Sequence, residues 1–279
     1  MADAVAAPSL VATVVAVCLP PEREETAAVL QALGARAAVR TLLVTFGDER
    51  QPEVRRTGHA TAIERLVPQY LNNAVASLRL SSLPTIAWWR GGPGAPVEAL
   101  AELATLVDRL VLDSPDPTSD WREALKLADR TAFSDIRWAR LTRWRNLMAQ
   151  FFDIPEVRED AAAFRRLEVA GEDRHTCRLF AGWLAARLPH GDSLSVRMLD
   201  GAGGHPISAV SFASPARTLR LRLLPAHACL ETRIEDAGQP AISRVVSPGD
   251  QSHASLLAAE LRVRSRDEAF EQALREVRP

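Results

Sequence analysis

From Leu10 to Val17 the chain reads Leu-Val-Ala-Thr-Val-Val-Ala-Val, with no charge and no polar alternation. A run so rich in β-branched residues predicts a strand, and the missing alternation predicts that both of its faces are covered. The apolar stretch Leu10–Leu19 is about ten residues long, too short to cross a bilayer. No Lys or Arg precedes Arg23, and Asp3 stands where a signal peptide would be basic. The run is therefore read as a buried strand of a protein expected in the cytoplasm.

The next segments suit a strand covered on both sides. Pro20-Pro21 leads into a helix over Glu22–Leu33, stopped by Gly34, and Val39–Phe46 is a second strand closed by Gly47-Asp48. Asp48 to His59 is polar and carries no clear period. Ile63, Leu66, Val67, Tyr70, Leu71, Ala74, Val75 and Leu78 fall on one helical stripe that Pro68 interrupts, so the helix is expected to start near Pro68. Thr85–Trp89 is a strand, Val97–Leu106 a helix and Arg109–Leu112 a short strand. Asp120-Trp-Arg-Glu123 resembles a capping box opening a helix to about Arg130, with Trp121, Ala124, Leu125 and Ala128 inward. Leu141–Phe152 is a further helix.

The second half changes character. A short strand at Leu167–Val169 and a helix over Asp173–Leu188 precede five strand-like stretches: Leu194–Leu199, Ile207–Phe212, Thr218–Leu224, Cys229–Ile234 and Ile242–Val246. Thr218-Leu-Arg-Leu-Arg-Leu223 alternates strictly, the mark of a sheet with one wet face. Turns at Asp200-Gly201, Gly203-Gly204 and Gly238 suit antiparallel hairpins. Two helices close the chain, one from near Asp250 and one opened by Ser265-Arg-Asp-Glu268, with Ala269, Phe270, Ala273, Leu274 and Val277 on its packed face. The expected architecture is an α/β N-terminal domain with a mainly parallel, Rossmann-like sheet over residues 1–153. An α+β C-terminal domain with a mainly antiparallel sheet comes after it over 154–279, the junction being Asp153-Ile-Pro155.

Composition excludes several functions. The formal net charge of -1 gives no bulk electrostatic case for nucleic acid or an anionic membrane. Cys18, Cys177 and Cys229 are odd in number and widely spaced, so neither a disulfide framework nor a zinc site is expected. His59, His175, His190, His205, His227 and His253 show no metal-ligand spacing. No Gly-x-Gly-x-x-Gly follows the first strand; Cys18-Leu-Pro-Pro stands there, so no nicotinamide or flavin cofactor is expected. Gly201-Ala-Gly203-Gly204 lies between strands and reads as a hairpin turn. Ser114 lacks a nucleophile elbow and reads as a turn or cap residue.

What stands out instead is two tryptophan–arginine clusters. Thr85-Ile-Ala-Trp88-Trp89-Arg90-Gly91 and Trp138-Ala-Arg140-Leu-Thr142-Arg143-Trp144-Arg145 hold four of the six tryptophans. Trp and Arg dominate protein interfaces. Trp88, Trp89 and Arg90 end an inner strand, where ligands of open parallel sheets dock. Asp113 ends the next strand and is suited either to accept from an arginine or to form a turn. Trp138 and Arg145 are seven apart and share a helical face; Trp144, four residues after Arg140, permits a cation–π contact. Each cluster either packs inside, beneath helices or between domains, or lines a groove or interface. The candidate partner-binding residues are Trp88, Trp89, Arg90, Asp113, Trp138, Arg140, Arg143, Trp144 and Arg145, with no catalytic, cofactor or metal residue expected.

These same segments carry a family resemblance. Leu83-Pro84-Thr-Ile-Ala-Trp88-Trp89-Arg90-Gly91 resembles the Leu-Pro-x-x-x-Trp-Trp segment of the glucose-6-phosphate dehydrogenase assembly protein family, OpcA. Arg109-Leu-Val-Leu-Asp113-Ser114 is similar to that family's strand ending in Asp-Ser. Asp135-Ile-Arg-Trp138-Ala-Arg140-Leu-Thr142-Arg143-Trp144-Arg145 and Ala181-Gly182-Trp183-Leu184-Ala185-Ala186-Arg187-Leu188 resemble its central blocks. Leu256-Leu257-Ala-Ala-Glu260-Leu261 and Asp267-Glu268-Ala-Phe-Glu-Gln-Ala-Leu274 resemble its terminal pattern. The resemblance implies a non-catalytic partner that binds glucose-6-phosphate dehydrogenase, favours its active oligomer and supports NADPH production in the oxidative pentose phosphate pathway. In cyanobacterial relatives cysteines link the protein to thioredoxin control, and none of the three cysteines here can be placed on such a site. The alternative reading is a small-molecule enzyme or sensor binding a sugar phosphate or nucleotide beside the Trp88–Arg90 strand end.

Overall fold

The computed structural model describes residues 10–49, 52–91, 95–201, 203–236, 238, 240–263 and 265–277; of Glu49 and His227 it describes the backbone alone. Asp3, read against a signal peptide, lies outside these residues, as does the side chain of His227. The elements run β1 (Ala12–Cys18), α1 (Arg23–Arg36), β2 (Val39–Glu49), β3 (Glu53–Thr57), β4 (Ala60–Leu66), α2 (Leu71–Leu78), β5 (Thr85–Arg90), α3 (Val97–Ala104), β6 (Arg109–Leu112), α4 (Thr118–Leu127), β7 (Ala132–Asp135) and α5 (Ile136–Arg140). Then come α6 (Thr142–Phe151), α7 (Pro155–Glu159), β8 (Arg166–Gly171), α8 (Arg174–Arg187), β9 (Ser195–Asp200), β10 (Ala209–Ala213), β11 (Arg217–Leu224), β12 (Cys229–Asp236), β13 (Ile242–Val246), α9 (His253–Glu260) and α10 (Glu268–Glu276).

The first sheet is ordered β3-β4-β2-β1-β5-β6-β7. Every pairing in it is parallel except the edge pair β3/β4. All seven residues of β1 and all six of β5 are buried, as a strand without alternation requires. Leaving β3 aside, the order is that of a doubly wound dinucleotide-binding sheet, with its reversal between β1 and β5. The second sheet is ordered β13-β12-β11-β10-β8-β9 and is antiparallel apart from β8/β9. In β11, Leu219 and Leu221 are fully buried while Arg220 and Arg222 are exposed, the two faces that the alternation predicts.

The chain divides into two compact units, residues 1–136 with 252–267 and residues 137–251 with 268–279. Residues 137–153, placed before the junction in the sequence reading, belong to the second unit. The reason is side-chain packing: Trp138 lies 5.2 Å from Phe270 of α10, and Arg137 pairs with Asp173 at 2.8 Å. The closing helices separate likewise. Glu260 of α9 binds Arg109 and Ser134 in the first unit, whereas α10 packs on α8 in the second.

Several local expectations are corrected. Ile63 and Leu66 belong to β4, not to a helical stripe; the strand turns at Arg65, whose φ is 63°, and the helical path starts at Pro68. A short apolar run satisfies both periods, and only pairing with Val44 and Phe46 of β2 decides. Asp120 does not cap α4, which begins at Thr118. Its carboxyl is buried inside the helix and accepts from Ser114 Oγ. The strand β7 was not foreseen, because it is four residues long and ends in the polar pair Ser134-Asp135. Burial is tolerated because Ser134 donates to Glu260 and Asp135 accepts from Trp121 Nε1 at 2.7 Å.

Candidate functional site

The nine residues singled out by the sequence fall into two groups, one in each unit. The first gathers at the carboxyl ends of β1, β5 and β6. Trp88 and Trp89 point to opposite faces of β5 and are both 0% exposed. Trp88 Nε1 donates to Asp113 Oδ2 at 3.1 Å. Trp89 packs edge-on against Phe46, with centroids 6.0 Å apart, and lies so close to Gly91 that a Cβ there would sit 2.1 Å from Nε1.

Arg90, 7% exposed, is the hub of this group. Its guanidinium lies 5.1 Å from the Trp88 ring centroid. It donates to Thr26 Oγ1 at 2.9 Å and to Glu25 Oε2 at 3.1 Å, and its Nε stands 3.4 Å from Asp113 Oδ2. Asp113 therefore meets an arginine, one of the two roles open to it. His253, at the start of α9, completes the cluster: its Nε2 is 3.5 Å from Asp113 and its ring 6.0 Å from Trp88. Nearby, burial pushes the Asp120 carboxyl up, with Ser114 and the Trp89 indole holding part of the rise back.

The turn from β1 to α1 decides what this strand end can bind. Pro20–Glu22 form a single 3-10 turn there. A phosphate held at such a helix start needs backbone N–H groups. Two prolines supply none. Glu22 adds a carboxyl, which burial raises and Arg90 partly lowers. These residues do not fit a dinucleotide pyrophosphate. Cys18 beside the turn is 1% exposed, and burial raises its thiol.

The second group is helical. Trp138 is 2% and Trp144 5% exposed, so neither ring faces solvent. The guanidinium of Arg145 stacks 3.4 Å from the Trp138 centroid and donates to Thr142 Oγ1 at 3.1 Å. Arg140, Arg143 and Arg145 are half-buried. Beside them Arg137 pairs with Asp173, the N-cap of α8. Burial alone would raise the Asp173 carboxyl, but the Arg137 charge and the Thr176 hydrogen bonds hold it below the usual range. Cys177, on the same helix, has its thiol pushed up to about 12, first by burial and then by Asp173. A thiol so placed carries no thiolate near neutrality.

Of the two readings open to each cluster, the rings take the interior one: all four tryptophans are buried in their units. Arg90 is buried with them, whereas Arg140, Arg143 and Arg145 are half-buried. The sequence reading missed Glu25, Thr26 and His253. Only Ser252, whose side chain accepts from Ser255 N, marks a helix start beside His253. Among the described residues no group of histidine, cysteine and carboxylate residues is placed to hold a metal ion, and no helix is long and apolar enough to cross a membrane.

Comparison with solved structures agrees with the architecture. A 3-ketoreductase from Actinomadura kijaniata aligns over 96% of this chain and 95% of its own, with a TM-score of 0.55 and 12% identity. An aldose-aldose oxidoreductase from Caulobacter crescentus aligns over 95% of each chain, with a TM-score of 0.52 and 11% identity. At such identity the likeness is one of fold alone. Among curated proteins, one from Synechocystis sp., provisionally named OxPP cycle protein OpcA, is 28% identical over 47% of this chain and 28% of its own length. Its namesake from Synechococcus elongatus is 30% identical over 41% of this chain and 27% of its own. The matched part thus spans under a third of those relatives. A family model described as the C-terminal domain of the glucose-6-phosphate dehydrogenase subunit matches residues 131–274. That match covers more than half of the chain, which therefore belongs to the OpcA family of glucose-6-phosphate dehydrogenase subunits.

Proposed function

We propose that this chain is a non-catalytic subunit that binds glucose-6-phosphate dehydrogenase in the cytoplasm and favours its active oligomer, so sustaining NADPH production. The observation that carries the reading is the family match over residues 131–274, which includes the whole second arginine cluster. The filled β1–α1 turn supports it, because the fold's usual cofactor position holds prolines and a carboxyl. Docking is assigned to the half-buried guanidinium groups of Arg140, Arg143 and Arg145. Trp138 and Trp144 act from beneath, fixing the helix that carries them. Trp88, Trp89, Arg90 and Asp113 keep the first unit's strand end rigid.

Activation needs the subunit to prefer the active form of its partner over the inactive one. A tenfold gain in active enzyme corresponds to about 1.4 kcal/mol of preferential binding, within reach of one desolvated arginine. The test is dehydrogenase activity at low glucose 6-phosphate, with and without this chain. Activity rises with added chain, and Arg143→Ala with Arg145→Ala blunts the rise while the fold is kept. No rise across a wide range of both proteins rejects the reading. The fold it shares with oxidoreductases leaves a second reading, a small-molecule enzyme or sensor binding a sugar phosphate or nucleotide beside Trp88–Arg90. Turnover by the isolated chain would establish it.

A further inference from the structure

The sheet of the first unit lacks a layer that its topology calls for. Parallel strands are ordinarily joined by a crossover of a dozen or more residues, usually a helix laid across the sheet. Here β2 and β4 are parallel neighbours, yet their connection is the edge strand β3, which lies in the plane of the sheet. The face of β2 and β4 beside α1 is left with a groove of about 520 Å³. Its floor is Thr41 and Leu43 of β2 with Ala60 and Ala62 of β4, whose small methyl groups leave room above the sheet. Its wall is α1, through Ala27, Leu30, Gln31 and Gly34, one helical face. These four residues span about 10 Å, two turns, of an α1 that is itself about 20 Å long.

Charge narrows the occupant. Arg23, Arg55 and His59 line the groove, and among the described residues no carboxylate does. Arg23 and Arg55 each pair with a glutamate at its border, Glu64 at 2.6 Å and Glu53 at 2.7 Å. Each guanidinium still has donors to spare, and Arg23 Nε is buried without an acceptor. We propose that this groove takes an amphipathic helix from a partner protein, apolar toward α1 and β4 and bearing carboxylates toward Arg23 and Arg55. The helix occupies the place of the crossover helix that the chain itself does not supply. The inference is independent of the partner named above.

Gly34 provides the test. It is helical and exposed, and a Cβ added there meets nothing within 4 Å, so a large residue blocks the groove without disturbing α1. The probe is a fluorescent, helix-stapled peptide of about sixteen residues, with leucines on one face and glutamates flanking them; its twin carries lysines instead. In anisotropy titrations with the full chain, the glutamate peptide binds at least about tenfold more tightly than the lysine peptide. Gly34→Trp abolishes binding with an unchanged melting temperature, and Arg55→Glu removes the preference for glutamate. Hydrogen exchange slows in Glu53–Thr57 and α1 when the peptide is bound. No binding of the glutamate peptide, equal binding of the twins, or binding unaffected by Gly34→Trp overturns the proposal. Self-association of the chain that Gly34→Trp abolishes also overturns it, by making a second copy the occupant.

Discussion

The two tryptophan–arginine clusters look alike in sequence and are built differently. At the end of β5, Arg90 contacts its strand neighbour Trp88 and two segments far away in the chain, Glu25 and Thr26 on α1 and Asp113 after β6, and His253 of α9 reaches the same Asp113. Trp138 on α5 and Arg145 on α6 stack seven residues apart on consecutive helices, and Arg145 also donates to Thr142 Oγ1, so the contact is local. The first cluster measures how well the whole unit is assembled. The second reports on those two helices and what they pack against. Identical residue types thus give no warning of whether a contact is local or global.

Removing a ring tests that difference most severely. Trp88→Ala and Trp138→Ala each cost about 3–5 kcal/mol, the range for deleting a buried aromatic. The comparison predicts that thermal unfolding and hydrogen exchange respond across the whole first unit for Trp88→Ala. For Trp138→Ala they respond around α5, α6 and α10. A uniform response to both would erase the distinction.

Next in size is the Arg137–Asp173 pair. Its loss in Arg137→Ala costs about 2–3 kcal/mol, less than for a fully buried pair, because 23% of the Asp173 side chain meets solvent. The Asp173 carboxyl is depressed in the folded chain. Its contribution is therefore present above the unfolded value of about 3.9 and lost as pH falls through the lower folded value. Denaturant titrations from pH 7 to pH 2 show wild type losing this stability in acid, and Arg137→Ala lacking that part of the slope. Parallel slopes would detach the pair from the second unit's acid response.

Gly91→Ala sharpens the comparison from the first unit's side. The added Cβ meets the Trp89 indole at 2.1 Å, so ring or backbone shifts, at about 1–3 kcal/mol. Tryptophan fluorescence should change with it. The smallest effect is Arg145→Ala, about 0.5–2 kcal/mol for one stacked guanidinium. Arg90→Ala exceeds it, because four neighbours lose a partner at once. Equal melting shifts for Arg90→Ala and Arg145→Ala would break the contrast between the clusters.

The legible parts of the fold were those with unambiguous period. β1 and β5 were readable because both faces are buried, and β11 because Leu219 and Leu221 alternate with Arg220 and Arg222. β7 was not, because its polar residues become strand-like only once Trp121 and Glu260 satisfy them. β4 was not, because Ile63 and Leu66 fit a helix equally well until β2 lies alongside. Of the candidate site, Trp88, Arg90 and Asp113 were found and do meet. Their neighbours Glu25 and His253 were invisible, since nothing local ties residue 25 or 253 to residue 90.

By itself the sequence determined the strands of clear period, most helices, the parallel and antiparallel halves and the family, because period and turn chemistry act over a few residues of covalent geometry. Tertiary structure alone decided that the tryptophans face inward and that the chain's last helices part between two units. It also decided that β2 and β4 join without a helix to cover them. Those outcomes depend on contacts between residues distant along the chain, where burial and pairing are settled only once the sheet is assembled.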